Sequence, residues 1–198
     1  WQRDSGLVIN RFTRDGIQTW SSNLSIAGNR IGTDVTGMVG LGNGAVGLRM
    51  TSSDSVIGGS SPADRNLISG NGQNGIQLAN GSSRNTIQGN SIGVAVDGTS
   101  ALGNAGAGIK LGLGNPMDNL IGGTAPGEGN IVAHTTQSAI RLQSGSGSGN
   151  SVLGNSVYDS NWVGIDINAD QFTPNDPEDV DTGSNDFLNF PVVTSAAQ

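Results

Sequence analysis

Six side chains occupy the same place in a recurring short segment: Gln18, Arg49, Gln77, Lys110, Arg141 and Asp166 each follow an Ile or Leu in a Gly/Ala-(Ile/Leu)-x-(Leu/Ile/Met)-like run. If these runs are parallel strands about 4.8 Å apart, the six side chains form one row along a surface. Lys110, Arg141 and Asp166 are then consecutive members. Such a row suits a long carbohydrate chain. A lyase acting on uronates needs a base to take the proton next to a carboxylate and a cation to stabilise the developing charge. Lys110 or Arg141 can supply the first, and an arginine or a bound calcium ion the second, so Lys110, Arg141 and Asp166 are the catalytic candidates. Arg49, Gln77, Lys110 and Arg141 are the candidates for holding a polysaccharide without cleaving it. A plain surface ladder, with Asp166 paired to Arg141 in solvent, is the third reading of the same row.

A second chemistry lies near the end of the chain. Asp166, Asn168 and Asp170 alternate, and Asp179-x-Asp181-x-Gly183-x-Asn185 follows. Both runs are rich in the carboxylate and amide oxygens that calcium takes in sets of about six to eight. Asp166, Asn168, Asp170, Asp179 and Asp181 are therefore the candidate calcium ligands. Neither run is a complete EF-hand loop, and a solvated acidic cap that blocks edge-to-edge pairing is the alternative.

Other chemistries are poorly served. Hydrolysis of glycosides needs two carboxylates roughly 5 to 10 Å apart, whereas Asp34, Asp64, Asp97 and Asp118 fall in loops and share no strand. His134 is the single histidine and reads as a surface or bend residue. With no cysteine in 198 residues, disulfides, thiolate metal sites and a thiol nucleophile are excluded. Trp20 lies early in the chain and Tyr158 and Trp162 late, too far apart to make one aromatic platform.

The elements that must position these residues are repeats. The recurring segments are 31, 28, 33, 31 and 25 residues apart. Two further short apolar segments lie in each interval, such as Asn85-Thr86-Ile87-Gln88 and Asn90-Ser91-Ile92-Gly93. Alternation places Ile87 on one side of its strand and Thr86 and Gln88 on the other, and the Ile side must face inward. Three short strands per period, joined at Gly and Asn bends and repeated about six times, predict an all-β chain folded as one right-handed parallel β-helix of five to six coils. A longer unit of about 62 residues is also visible, because 31–47 matches 92–108 at equal length and 57–70 matches 121–134.

Asparagine, present 21 times, belongs to this architecture. Asn tolerates left-handed bends and bonds to nearby backbone groups. Asn29, Asn66, Asn90, Asn130 and Asn155 fall at one level in successive periods and are expected to form an internal amide ladder that satisfies buried polar atoms.

Charge is divided along the chain. The net charge of -7 belongs to residues 160–198, which hold seven acids and no base, while residues 1–159 hold nine of each sign. A neutral body with an acidic end argues against nucleic acid and against anionic membrane surfaces, both of which require clustered Lys and Arg. No apolar run approaches the roughly 20 residues of a membrane span, so membrane insertion is not expected. The chain opens on Trp1, as a processed product or an excised piece would. The boundaries read as a β-helix over 1–170 and an acidic capping segment over 171–198 that leads to a domain boundary.

Gly6-Leu7-Val8-Ile9-Asn10-Arg11-Phe12, the IGTD and LGNG loops, IGGTAPGEGN at 121–130 and TPNDPEDVDTGSNDFLNFPVV at 173–193 together resemble the right-handed parallel β-helix repeat proteins of secreted bacterial multidomain chains, within the pectate-lyase-like superfamily. The resemblance covers almost the whole chain. It implies an extracellular or cell-surface setting and neighbouring domains in a larger chain, and little about reaction; the leading expectation is a structural or adhesive module that contacts polysaccharide along the row from Arg49 to Asp166. It leaves open a polysaccharide lyase or hydrolase, and a subunit that assembles end to end into a fibre, because fold does not fix function.

Overall fold

A computed structural model of the chain describes residues 2–4, 6–112 and 114–168. Eighteen strands of two to four residues succeed one another, with no helix among the described residues. Every third strand pairs in parallel, which builds three six-stranded sheets. The first sheet holds β1 (Gln2–Asp4), β4 (Leu24–Ile26), β7 (Val56–Gly58), β10 (Thr86–Gln88), β13 (Leu120–Gly122) and β16 (Ser151–Leu153). The second holds β2 (Val8–Ile9), β5 (Arg30–Ile31), β8 (Leu67–Ile68), β11 (Ser91–Ile92), β14 (Ile131–Ala133) and β17 (Ser156–Tyr158). The third holds β3 (Ile17–Thr19), β6 (Leu48–Met50), β9 (Ile76–Leu78), β12 (Ile109–Leu111), β15 (Ile140–Gln143) and β18 (Ile165–Asn168). This is a parallel β-helix of six coils, three strands to a coil, as the repeat predicts.

Its core is a narrow tube of stacked aliphatic side chains. One column runs Ile26, Ile57, Ile87, Ile121 and Val152, a second runs Ile9, Ile31, Ile68, Ile92, Val132 and Val157, and a third begins Ile17, Leu48, Ile76, Ile109 and Ile140. Most are completely buried. Each contributes about 1.5 to 3 kcal/mol by leaving water. With only one or two inward residues per strand, a coil cannot enclose its own core and depends on the coils above and below.

The corners are polar and, apart from the half-buried Asn155, buried. Asn29, Asn66, Asn90, Asn130 and Asn155 stack where the first sheet gives way to the second. Backbone N–H and Nδ2 of each donate to Oδ1 of the next, at 2.8 to 3.4 Å. The expected ladder is present. Two further ladders were not foreseen: Asn43, Asn71 and Asn104 at the next corner, and Ser55, Asn85, Asn119 and Asn150 at the third. The second stops at Thr135, whose hydroxyl instead donates to Ser160 Oγ, 2.9 Å away. Ladder amides also bind carbonyls of the preceding coil, as Asn66 Nδ2 binds Ile26 O at 2.8 Å. Buried corner groups thus find partners that a short strand cannot give them.

The 62-residue unit corresponds to two tongues. Residues 33–40 and 94–101 each fold back on themselves, closed by the bridges Thr33 to Gly40 and Val94 to Ala101. Val96 N–H donates to Gly37 O at 3.0 Å, so the two tongues stack although a coil separates them. Asp34 and Asp97 cap the tongue turns by accepting backbone N–H groups. Close coil approach also requires glycine: at Gly93, with φ of 79°, a methyl group would collide with the Ala133 carbonyl oxygen.

Candidate functional site

The third sheet aligns the row residue by residue. Gln18 lies opposite Arg49, Arg49 opposite Gln77, Gln77 opposite Lys110, Lys110 opposite Arg141, and Arg141 opposite Asp166. The flanking positions point inward because strand side chains alternate, and in β6, β9 and β12 the central residue alone remains partly accessible. A groove of about 410 Å³ runs along these outward residues. Gln18, Arg49, Gln77 and Lys110 line it, with Trp20, 73% exposed, beside them.

The three cations of the row differ in their surroundings. Arg49 Nε and Nη2 grip the Asp15 carboxylate at 2.6 and 3.2 Å. Burial raises the Asp15 pKa, but the bonds from Arg49 and Val46 N–H, with the charges of Arg49 and Arg14, outweigh it and hold the carboxyl below its usual range. Arg141 lies 3.4 Å from Asp166, donates to Gln137 Oε1 at 3.0 Å, and places its guanidinium 5.3 Å from the Trp162 ring centre. Lys110 is half-buried between them and has no ion pair among the described residues. Burial pushes its ammonium below the ordinary lysine range, and the charges of Arg141 and Arg49 add to that. It is also the only lysine in the chain.

Asp166 is not part of a solvent-exposed ladder. Its side chain is completely buried, and Ser138 Oγ donates to its Oδ2 at 3.2 Å beneath Arg141. The chain turns the carboxylate toward the preceding coil, where two donors await it, so the row ends in a covered ion pair. Asn168 stands at the end of β18 with φ of 71°. Asp170, Asp179 and Asp181 lie outside the described residues, as does the expected capping segment 171–198. Among the described residues no group of three or more His, Cys, Asp or Glu side chains could hold a metal ion.

Trp20 is the residue whose place the sequence obscured. It does not share a platform with Tyr158 or Trp162, but it joins Arg49 and Lys110 in one groove, because the turn after β3 leaves it beside the third sheet. Trp162 packs at the other end of the same sheet, against Arg141. Tyr158 is engaged elsewhere: its hydroxyl donates to Gly98 O at 3.0 Å, and its ring meets His134 edge-on. His134 occupies a left-handed bend with φ of 53°, its Nε2 3.2 Å from Thr99 O.

Compared with protein families, with characterised proteins and with solved structures, the chain matches none.

Proposed function

We propose that this chain is an adhesive β-helix module, part of a larger bacterial surface protein, that holds an extended polysaccharide along its third sheet. The observation that carries this reading is Lys110: a half-buried cation with no ion-pair partner among the described residues, in line with Arg49 and Gln77 and open to the groove beside Trp20. A buried cation is stabilised by an anion from outside when the protein supplies none. The repeat spacing of about 4.8 Å presents polar groups at regular intervals, which suits a polymer better than a compact molecule. Trp20 offers an exposed ring face for a sugar. An extracellular setting agrees with the resemblance to secreted β-helix repeat proteins.

Gel retardation of the folded chain in matrices containing acidic or neutral polysaccharide tests this. Retardation by an acidic polymer, weakened by added salt and lost in Lys110→Met, is the expected result. Equal mobility in every matrix would overturn it.

One observation favours a second reading, a polysaccharide lyase. The lowered proton affinity of Lys110 brings its neutral, proton-accepting form into a lower pH range, and Arg141 is the adjacent cation. Release of unsaturated uronides, read by their ultraviolet absorbance, separates catalysis from binding alone.

A further inference from the structure

The outward positions of the second sheet run Val8, Arg30, Leu67, Ser91, Ile131 and Ser156. Unlike the third sheet, this surface is partly roofed. The loop that precedes β8 brings Pro62 and Arg65 to one side, and the second tongue brings Val96 to the other. Between them lies a pocket of about 250 Å³ with Leu67 and Ser91 on its floor and both Arg30 and Arg65 in its lining.

The two arginines lack the partners that others in the chain have. Arg49, Arg84 and Arg141 each face an aspartate. Arg30 Nε is buried without a hydrogen-bond partner, and its guanidinium makes no ion pair among the described residues. Arg65 Nε donates to Gly89 O at 2.9 Å, which leaves its terminal nitrogens without a protein acceptor among the described residues. Two cations therefore share one cavity whose lining, among the described residues, holds no acid. A buried charged donor without an acceptor is unfavourable. A water molecule would satisfy Nε but would leave the two like charges in one cavity without a counter-charge. An oxyanion would do both, since the planar arginine fork matches carboxylate, sulfate and phosphate groups. The volume exceeds the roughly 30 Å³ share of one water several-fold, and polar groups from Arg30, Arg65 and Ser91 line it beside the apolar Pro62, Leu67 and Val96.

We infer that the pocket between the 59–65 loop and the second tongue is an anion site, in which Arg30 and Arg65 hold a compact oxyanion group. It is separate from the third-sheet groove and does not depend on the reading given there.

The arginine Nε–H resonances of the full chain, followed by NMR at constant ionic strength, test it. Sodium phosphate and sodium glucuronate are the two probes, with sodium chloride as the control. Saturable shifts at Arg30 and Arg65 are expected with at least one probe. Phosphate alone points to a free inorganic anion, glucuronate alone to a carboxylate-bearing sugar, and both to a general oxyanion site. Arg30→Met should weaken binding by about tenfold or more, while Lys110→Met should leave it unchanged, which separates this site from the groove. Should Arg30→Met fail to fold, Arg65→Met, at an exposed position, must weaken binding in the same way. Shifts absent with both probes, reproduced by chloride, or unaltered in the arginine variant would overturn the inference.

Discussion

The Asn66 side-chain amide donates to Asn90 Oδ1 at 2.8 Å, inside the corner between the first and second sheets. Asn90 in turn donates from Nδ2 to Ile57 O and to Asn130 Oδ1. One side chain thus ties three coils together. Truncation to Ala would take the Oδ1 acceptor from the Asn66 backbone N–H and side-chain amide, and the Nδ2 donor from Ile57 O and Asn130 Oδ1, and a buried polar group that loses its partner costs about 1 to 3 kcal/mol. Asn90→Ala is expected to lower the unfolding free energy by about 3 kcal/mol or more in urea titrations. A loss under about 0.5 kcal/mol would mean that the ladder contributes little.

Coil spacing rests on glycine at the points of closest approach. Gly93→Ala adds a methyl group that meets the Ala133 carbonyl and forces Ala into a left-handed backbone at φ of 79°. Left-handed strain alone costs about 1 to 2 kcal/mol. The variant should lose at least that much, and more if the backbone cannot shift, as read from its melting temperature.

Acid should weaken the fold through its low-pKa aspartates. Asp15 is held below its ordinary 3.8 chiefly by Arg49, against the opposing effect of burial, and Asp97 is lowered to about 2 by bonds from Ser100 and Thr99. A carboxyl whose folded pKa lies below its unfolded value stabilises fully above the unfolded value and loses that contribution as pH falls through the folded one. Stability should therefore be flat from neutrality down to about pH 4 as far as these groups are concerned, then decline toward about pH 2. Asp15→Asn, measured by denaturation at several pH values, should show a shallower decline. An unchanged slope would remove Asp15 from this account.

Lys110 carries the opposite sign. Its folded pKa lies below the unfolded 10.5, so the charged form is disfavoured in the fold, and its unfavourable contribution is present below the folded pKa. That contribution is relieved as pH rises toward the unfolded value. Lys110→Met should therefore be no less stable than the parent at neutral pH, while losing retardation by acidic polysaccharide. Because the chain has a single lysine, reductive methylation with labelled formaldehyde gives one side-chain NMR probe whose titration reads the shift directly. A midpoint at or above the ordinary lysine value would contradict the described burial.

Trp20→Ala separates binding from folding at the groove. The ring is 73% exposed, so its removal should change stability by no more than about 0.5 kcal/mol. Polysaccharide retardation should nevertheless weaken. Full retention in the variant would place the sugar away from the Trp20 rim.

The sequence by itself determined the coil, the facing of each strand and the row on the third sheet. Those features repeat locally: a period of two fixes which side of Ile109 and Lys110 faces inward, and a period near 30 brings the same position round again. The ladder through Asn66 and Asn90 was expected although its members lie 24 to 40 residues apart, whereas the ladders through Asn71 and Asn85, more evenly spaced at 28 to 34 residues, emerge only from the folded chain. Tertiary structure alone decided what lies around these positions. Asp166 has the place in the row that its spacing predicts, yet Ser138 and Arg141 of the preceding coil cover it. Trp20, Arg30 and Arg65 acquired their groove and pocket from turns and tongues whose paths depend on contacts such as Val96 N–H to Gly37 O. Strand facing is a property of neighbouring residues, whereas loop placement is set by packing between distant ones, which no short sequence pattern records.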